Sequence, residues 1–320
     1  MLKCLSKFTH MPNVDVIIPT HNCIFIAKAI ESIIHQTYQN LHIIIIDDGS
    51  TDDAKDTVYR FRNLYPGKIN YYYQHQQGPA AARNTGIKRS SNEYIAFLDA
   101  DDIWLPEKLE KQLLIYKKNP DIGFVYCDNY FIDKSGNIIK DYIRKVKLVE
   151  GNILLDFFMD FFLITSAIII KRSCIQKVGL FNENLQVGED FEFFLRLAKY
   201  YTAGVVREKL LKRRVWARSL SKRDYELNTR IDIETLKKFI SVHSAFNNMH
   251  RQLIMKRMSD MYFKFGYMYL EHKKNLKALT QFTLSLRFFL NIKAIKGLIS
   301  SILPKILLSQ LKKQNDNYSR

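Results

Sequence analysis

Several things are scarce in this 320-residue chain, and each scarcity excludes a class of protein. Cysteine occurs only at Cys4, Cys23, Cys127 and Cys174, far apart and without a C-x-x-C pair. That spacing supports neither a disulfide framework nor a zinc site, and it fits isolated thiols in a reducing compartment. Long hydrophobic runs are missing. The longest candidate, Phe161–Ile170, is about half of the ~20 apolar residues that a membrane span needs. Residues 1–11, read as an N-terminal extension, carry Lys3, Lys7 and His10 and have no apolar core of signal-peptide length. The expectation is a cytoplasmic chain without membrane spans. Acid is scarce only at one end. The formal net charge is +17, yet residues 1–200 carry 24 Lys and Arg against 24 Asp and Glu, while residues 201–320 carry 25 against 8. A neutral body followed by a basic appendage excludes a uniformly basic nucleic-acid coat.

Apolar material is plentiful. Hydrophobic residues make up 47% of the chain, with 21 Phe and 18 Tyr, enough for a sizeable core. Val14–Pro19 is a short β-branched run, and Ile26, Ala27, Ile30, Ile33 and Ile34 follow at helical spacing. His42–Ile46 is a second apolar strand; Ser50 or Thr51 is placed to cap a helix reaching Leu64. Ile69–Tyr73 predicts a third strand, Gly78-Pro79 a helix through Ile87, and Tyr94–Leu98 a fourth strand. Pro106 suits the first turn of a helix ending near Lys118, and Ile122–Cys127 reads as a fifth strand. This alternation predicts an α/β fold, a doubly wound and mostly parallel sheet with helices on both faces, whose ligands bind outside the carboxyl ends of the strands. Beyond Cys127 the pattern changes: a hairpin-like turn at Asp133–Asn137, a helix near Asn152–Phe161, a strand near Ile164–Ile170 and a helix from Gly188 to Tyr200. From about Thr229 the chain reads as almost wholly helical, with Pro304 its only proline.

The strand ends collect polar residues. Asp99, Asp101 and Asp102 place three carboxylates on one tight turn, where they repel one another unless a divalent hard cation or a helix cap relieves them. Asp47-Asp48 repeats the theme one strand earlier, as a cap or as an acceptor for a nucleobase or ribose. Arg83-Asn84 follows three alanines at a helix start that favours anions; the alternative for Arg83 is a surface ion pair. Glu189-Asp190 opens a helix, either as favourable dipole placement or as a general base.

In this order the blocks become specific. Residues 14–53, then GPAAARNTGI (78–87), YIAFLDADDIW (94–104), TSAIIIKRSCIQKVGLFNENL (165–185) and GEDFEFFLRLAK (188–199), resemble those of family 2 glycosyltransferases with the GT-A fold. The resemblance implies a catalytic domain over residues 12–221, divided into a nucleotide-binding half (12–127) and an acceptor-binding half (128–221). It implies that Pro19, Thr20, His21, Asn22 and Asp48 hold the nucleobase and ribose of a nucleotide-sugar donor, with UDP as the nucleotide, and that Arg83 lies near the nucleotide. Asp99, Asp101 and Asp102 would hold ribose and Mn²⁺ or Mg²⁺, with Asp101 and Asp102 as metal ligands. Asp190 would be the base for an inverting transfer to a saccharide or lipid-linked acceptor, in bacterial surface-polysaccharide assembly. One departure stands out. Where the family often has R-x-H, this chain has Arg214-Val215-Trp216, and an indole cannot ligate a metal. Two further readings are an aspartyl-nucleophile phosphohydrolase using Leu98-Asp99-Ala100-Asp101 and a catalytically degenerate, membrane-docked scaffold.

The basic region, residues 222–320, contains a predicted two-helix unit of tetratricopeptide type at 257–287, linked through His272–Asn275. Residues 288–313 then carry isoleucines and leucines on one face and lysines on the other. This suits a helix on an anionic membrane surface, at the inner face of the cell membrane, and equally one packed on the protein with a solvated basic face. Nucleic acid is not an expected partner, because no binding motif is present and the lysines alternate with aliphatics.

Overall fold

The structure is a computed structural model that describes residues 12–139, 148–216, 225–290 and 292–302. The chain divides into two compact units, residues 1–223 and 224–320. The expected extension 1–11, with Cys4, and the end of the tail, including Pro304, lie outside the described residues.

The first unit starts with β1 (Val14–Thr20), α1 (Ile26–Ile34), β2 (Leu41–Asp48), α2 (Ala54–Leu64), β3 (Ile69–Gln74), α3 (Pro79–Arg89) and β4 (Tyr94–Phe97). β1 and β2 are buried along almost their whole length, which is why they read as unbroken Val/Ile runs and not as alternating ones. α1 turns Ile26, Ala29, Ile30, Ile33 and Ile34 into the core. β5 (Ile103–Trp104), α4 (Lys108–Lys118), β6 (Phe124–Ile132), α5 (Leu154–Met159), β7 (Ile168–Lys171), α6 (Arg172–Val178), α7 (Glu189–Tyr200) and β8 (Ala203–Arg214) complete the unit.

The eight strands form one sheet in the order β3-β2-β1-β4-β7-β6-β8-β5. The first four are mutually parallel, as the alternation predicts. The expected fifth strand, β6, does not continue that run, because β7 lies between β4 and β6, antiparallel to both. Ile168, Ile169 and Ile170 are fully buried there, so three successive isoleucines suit a central position with both faces covered. A 3₁₀ turn at Thr165–Ala167 shortens the strand expected at Ile164–Ile170.

β8 carries no strand expectation, for a physical reason. It pairs with β6 through register shifts around Asp128, and its burial runs in blocks, so its period of two is lost among Arg and Lys. The turn at Asp133–Asn137 is present, with the Asn137 and Gly136 N–H groups engaging Asp133. Two capping expectations need correction. α2 starts after Asp53, and the Asp52 carboxylate receives the Ala54 N–H at 3.1 Å, while the Thr51 N–H and hydroxyl turn to Asn22. Pro106 precedes α4 by two residues, and its carbonyl accepts the Thr37 N–H at 2.8 Å. Cys23, Cys127 and Cys174 are buried free thiols.

The second unit is helical: α8 (Tyr225–Val242), α9 (Ser244–Met249), α10 (Arg251–Glu271), α11 (Asn275–Phe288) and α12 (Ile292–Ile302). The expected helix pair with its link at 272–274 is α10 and α11, and α10 begins earlier than 257. Met258, Met261, Tyr262, Phe265 and Tyr269 form its buried stripe. No described helix is long and apolar enough to cross a membrane.

α3 packs so closely on β1 that a Cβ on Gly86 would lie 2.3 Å from Ile17 Cγ2. Gly86→Ala therefore overpacks the layer between sheet and helix. It is expected to cost about 1–3 kcal/mol in urea unfolding, despite alanine's better helix propensity.

Candidate active site

The carboxyl ends of β1, β2 and β4 share one edge of the sheet, since the three strands run parallel and adjacent. At the end of β1, Thr20 is buried and His21 is exposed. His21 Nδ1 lies 2.9 Å from the Asp48 carbonyl, an acceptor, so Nδ1 carries the proton. Its Nε2 then accepts from the Asn22 and Gln76 side-chain amides. This fixes the ring while leaving it at the surface. Asn22, at φ 49°, receives the Thr51 and Asp52 N–H groups on its Oδ1 and ties the end of β1 to the loop after β2.

Asp48, at the end of β2, is 4% exposed, and its carboxylate receives Gln74 Nε2 at 2.7 Å and the N–H groups of Gln77 and Gly78 at 2.9 and 2.8 Å. These bonds shape the loop leading into α3. Asp47 is likewise engaged, by the Ser50 N–H and the Tyr71 hydroxyl.

The turn after β4 holds the three expected carboxylates close together. The Asp102 N–H donates to the Asp99 carbonyl at 3.0 Å, and the Asp99 N–H to Ser166 Oγ at 3.0 Å. Asp99 and Asp101 are partly exposed, whereas Asp102 is 3% exposed, with Oδ1 taking the Arg214 N–H at 2.9 Å. Asp102 thus faces the protein more than the opening. Arg214 is itself buried; its Nε donates to the Asp101 carbonyl and one terminal nitrogen to the carbonyls of Asp133 and Lys134. Trp216 Nε1 donates to Asp101 Oδ2 at 3.0 Å, and its ring packs edge-on against Phe25. The residue that departs from R-x-H therefore holds one of the two carboxylates expected to bind metal.

Burial and the Asp99 charge push Asp101 upward, and burial with both neighbouring carboxylates pushes Asp102 well above the usual range. Hard oxygen donors under mutual repulsion suit Mg²⁺ or Mn²⁺, which takes one or two carboxylates and completes its shell with phosphate and water. Among the described residues no group of three or more His, Cys, Asp and Glu forms a cage of its own.

Arg83 joins this turn to α7. Its guanidinium is 7% exposed and donates to Asp99 Oδ1 at 2.8 Å and Glu189 Oε1 at 2.6 Å. Burial opposes its charge, but Asp99 and Glu189 outweigh burial and raise its pKa. The arginine expected to lie near the nucleotide thus bridges two acids. Next to it, Asn84 holds the backbone of Phe181 in both directions and the Glu183 carboxylate. Asp190, the expected base, follows Glu189 directly and accepts the Phe191 N–H at 2.8 Å. Burial and the Glu189 charge raise it to about 7, against the pull of Arg83. Ser166 has no role in the sequence reading, and Glu189, read there with Asp190 as helix-dipole placement or a general base, is here a partner of Arg83.

A family profile described as Glycosyl transferase family 2 matches residues 15–179, half of the chain. The chain belongs to glycosyl transferase family 2. An uncharacterized glycosyltransferase of Rickettsia felis is 34% identical over 213 residues, covering 66% of this chain and 34% of that relative. The chain spans about a third of the length of this relative and of two further rickettsial ones. Among solved structures, residues 1–349 of S. aureus TarS in complex with UDP-GlcNAc superpose with a TM-score of 0.58 at 15% identity, covering 89% of each chain. The mannosyltransferase PcManGT of Pyrobaculum calidifontis, in complex with GDP-Man and Mn²⁺, gives 0.55 at 18% identity, covering 91% of this chain and 88% of its own. These likenesses establish the GT-A fold for this family 2 chain, a mostly parallel sheet with helices and a helical C-terminal region. Family membership also displaces the phosphohydrolase reading, and the Asp99 carboxylate that reading needs as nucleophile is engaged by Arg83.

Removing the guanidinium leaves Glu189 buried without its ion pair. Arg83→Ala is expected to lower stability by about 3–5 kcal/mol in denaturant titration at neutral pH, whereas loss of a surface pair costs under about 1 kcal/mol.

Proposed function

We propose that this family 2 protein is an inverting, metal-dependent glycosyltransferase. It moves a sugar from a nucleoside-diphosphate donor, a UDP-sugar foremost, to a hydroxyl of a saccharide or lipid-linked acceptor in bacterial surface-polysaccharide assembly on the cytoplasmic side of the membrane. The observation that carries this reading is the Arg83 bridge. By pairing with Asp99 and Glu189 it draws the acidic turn and the N-terminus of α7 into one site, with Asp190 next in sequence.

In this reading Asp190 accepts the proton of the acceptor hydroxyl. The acceptor oxygen forms a bond to the anomeric carbon as the bond from that carbon to the diphosphate oxygen breaks, and the nucleoside diphosphate departs. Asp190 suits the task, because a base raised to about 7 is both ionised and basic near neutral pH. Asp101, with Asp99, would hold the divalent cation, which when bound would supply positive charge for the diphosphate. Asp102 braces the turn from within. His21 offers its exposed ring to the base, as the resemblance implies, while Asn22 and Asp48 shape the loops around it. The donors bound by TarS and PcManGT support a nucleotide sugar as substrate class.

The deciding experiment incubates the protein with Mn²⁺, a panel of nucleotide sugars and saccharide acceptors. Absence of both donor binding and donor turnover across the panel sinks the proposal. Asp190→Asn is expected to abolish transfer while sparing donor binding. In the wild type kcat/KM should rise with pH and level off above about 7, because protonated Asp190 cannot accept the proton; a flat profile between pH 5.5 and 8 rejects the base assignment. Trp216→Phe keeps the ring but removes the N–H on Asp101. Loss of such a supporting bond is expected to weaken Mn²⁺ binding by about 10- to 100-fold, measured by electron paramagnetic resonance of free Mn²⁺.

A further inference from the structure

We propose that α12 is a docking face for an anionic lipid surface, formed because the helix is packed mostly through small residues and turns three isoleucines outward. Ala294 is fully buried, and Ser300 and Ser301 are 9% and 8% exposed. Gly297 lies against Phe282 of α11 so closely that a Cβ there would come within 2.5 Å of the ring. The opposite side carries Ile292, Ile295 and Ile299, which are 69%, 37% and 43% exposed and stand at i, i+3 and i+7 on one helix face. Leu290, just before the helix, is 76% exposed. Water rewards the reverse arrangement. A helix that turns Ala294, Ser300, Ser301 and the half-buried Leu298 inward, and leaves Ile292, Ile295 and Ile299 facing out, has an apolar stripe reserved for something other than its own fold.

Charge selects the occupant. Lys293 and Lys296 are exposed on the same helix. From His272 to Asn315 the chain has nine Lys and Arg and no Asp or Glu. A second copy docked on this face brings the same lysines against these and meets repulsion. Residues 303–320, the nearest segment of the chain itself, add three lysines and an arginine against one aspartate, again of like sign. Nucleic acid complements the lysines but gains nothing from exposed isoleucines. A bilayer with anionic headgroups answers both features, taking the isoleucines into the boundary with the acyl chains and the lysines at the headgroups. No part of this inference depends on sugar transfer.

The test is co-sedimentation of the full chain with vesicles of phosphatidylcholine alone or with roughly a third phosphatidylglycerol. The expected result is binding to the anionic vesicles only, at least about tenfold weaker in the triple variant Ile292→Ser/Ile295→Ser/Ile299→Ser and in Lys293→Glu/Lys296→Glu. All five positions are exposed, so melting temperature and circular dichroism should match wild type; the lysine pair keeps the test decisive if the triple variant does not fold. Absence of wild-type binding, or a folded triple variant that binds like wild type, overturns the proposal. So does a wild-type dimer in light scattering that the triple variant converts to monomer, since the occupant is then a second copy.

Discussion

Crowded carboxylates are the constraint on which the first unit depends. Asp99, Asp101 and Asp102 occupy one turn, and the Arg83 bridge brings Glu189 and Asp190 beside it. At contact distances each like-charge pair costs on the order of 4 kcal/mol in a partly screened protein environment. Two buried arginines from remote parts of the chain offset this. Arg83 comes from α3 and spans Asp99 and Glu189; Arg214 comes from the end of β8 and binds the turn through the Asp101 carbonyl and, by its own N–H, the Asp102 carboxylate. All of these bonds except Arg83–Asp99 fasten residues more than 100 positions apart, so charge balance and tertiary closure are one event. The neutralisation is incomplete. Asp101, Asp102 and Asp190 remain raised, so a proton or a cation beside them would relieve the remaining repulsion.

The polar residues at the strand ends divide into two kinds. Asp48, Asp47 and Asn22 direct their oxygens to backbone N–H groups and set the courses of three loops. His21, Asp99 and Asp101 keep part of their surface open. Burial separates the two kinds: the first shapes loops, and the second stays accessible at the strand ends.

The second unit obeys a different rule. Its α10–α11 pair closes over aromatic rings, with Gly266 and Gly297 making room for Phe282. The +17 of the whole chain arises entirely within residues 201–320, where 25 Lys and Arg stand against 8 Asp and Glu.

Much of this was legible in the sequence. Ile/Val runs and helical spacing marked β1 to β4 and their helices, because apolar periodicity is a local property, and the order of acidic blocks pointed to the family. Trp216 could be seen to depart from R-x-H, but its bond to Asp101 spans 115 residues and has no local signature. The same holds for Arg83, whose sequence context at a helix start pointed to an anionic ligand while its partners are Asp99 and Glu189. β7 between β4 and β6 was hidden for a related reason, since pairing order is a long-range choice that strand composition does not encode. By itself the sequence determined most of the elements, the family and the chemical types gathered at the strand ends. Tertiary structure decided which carboxylates are committed to the fold and which remain open, because burial and hydrogen-bond partners exist only once distant segments meet.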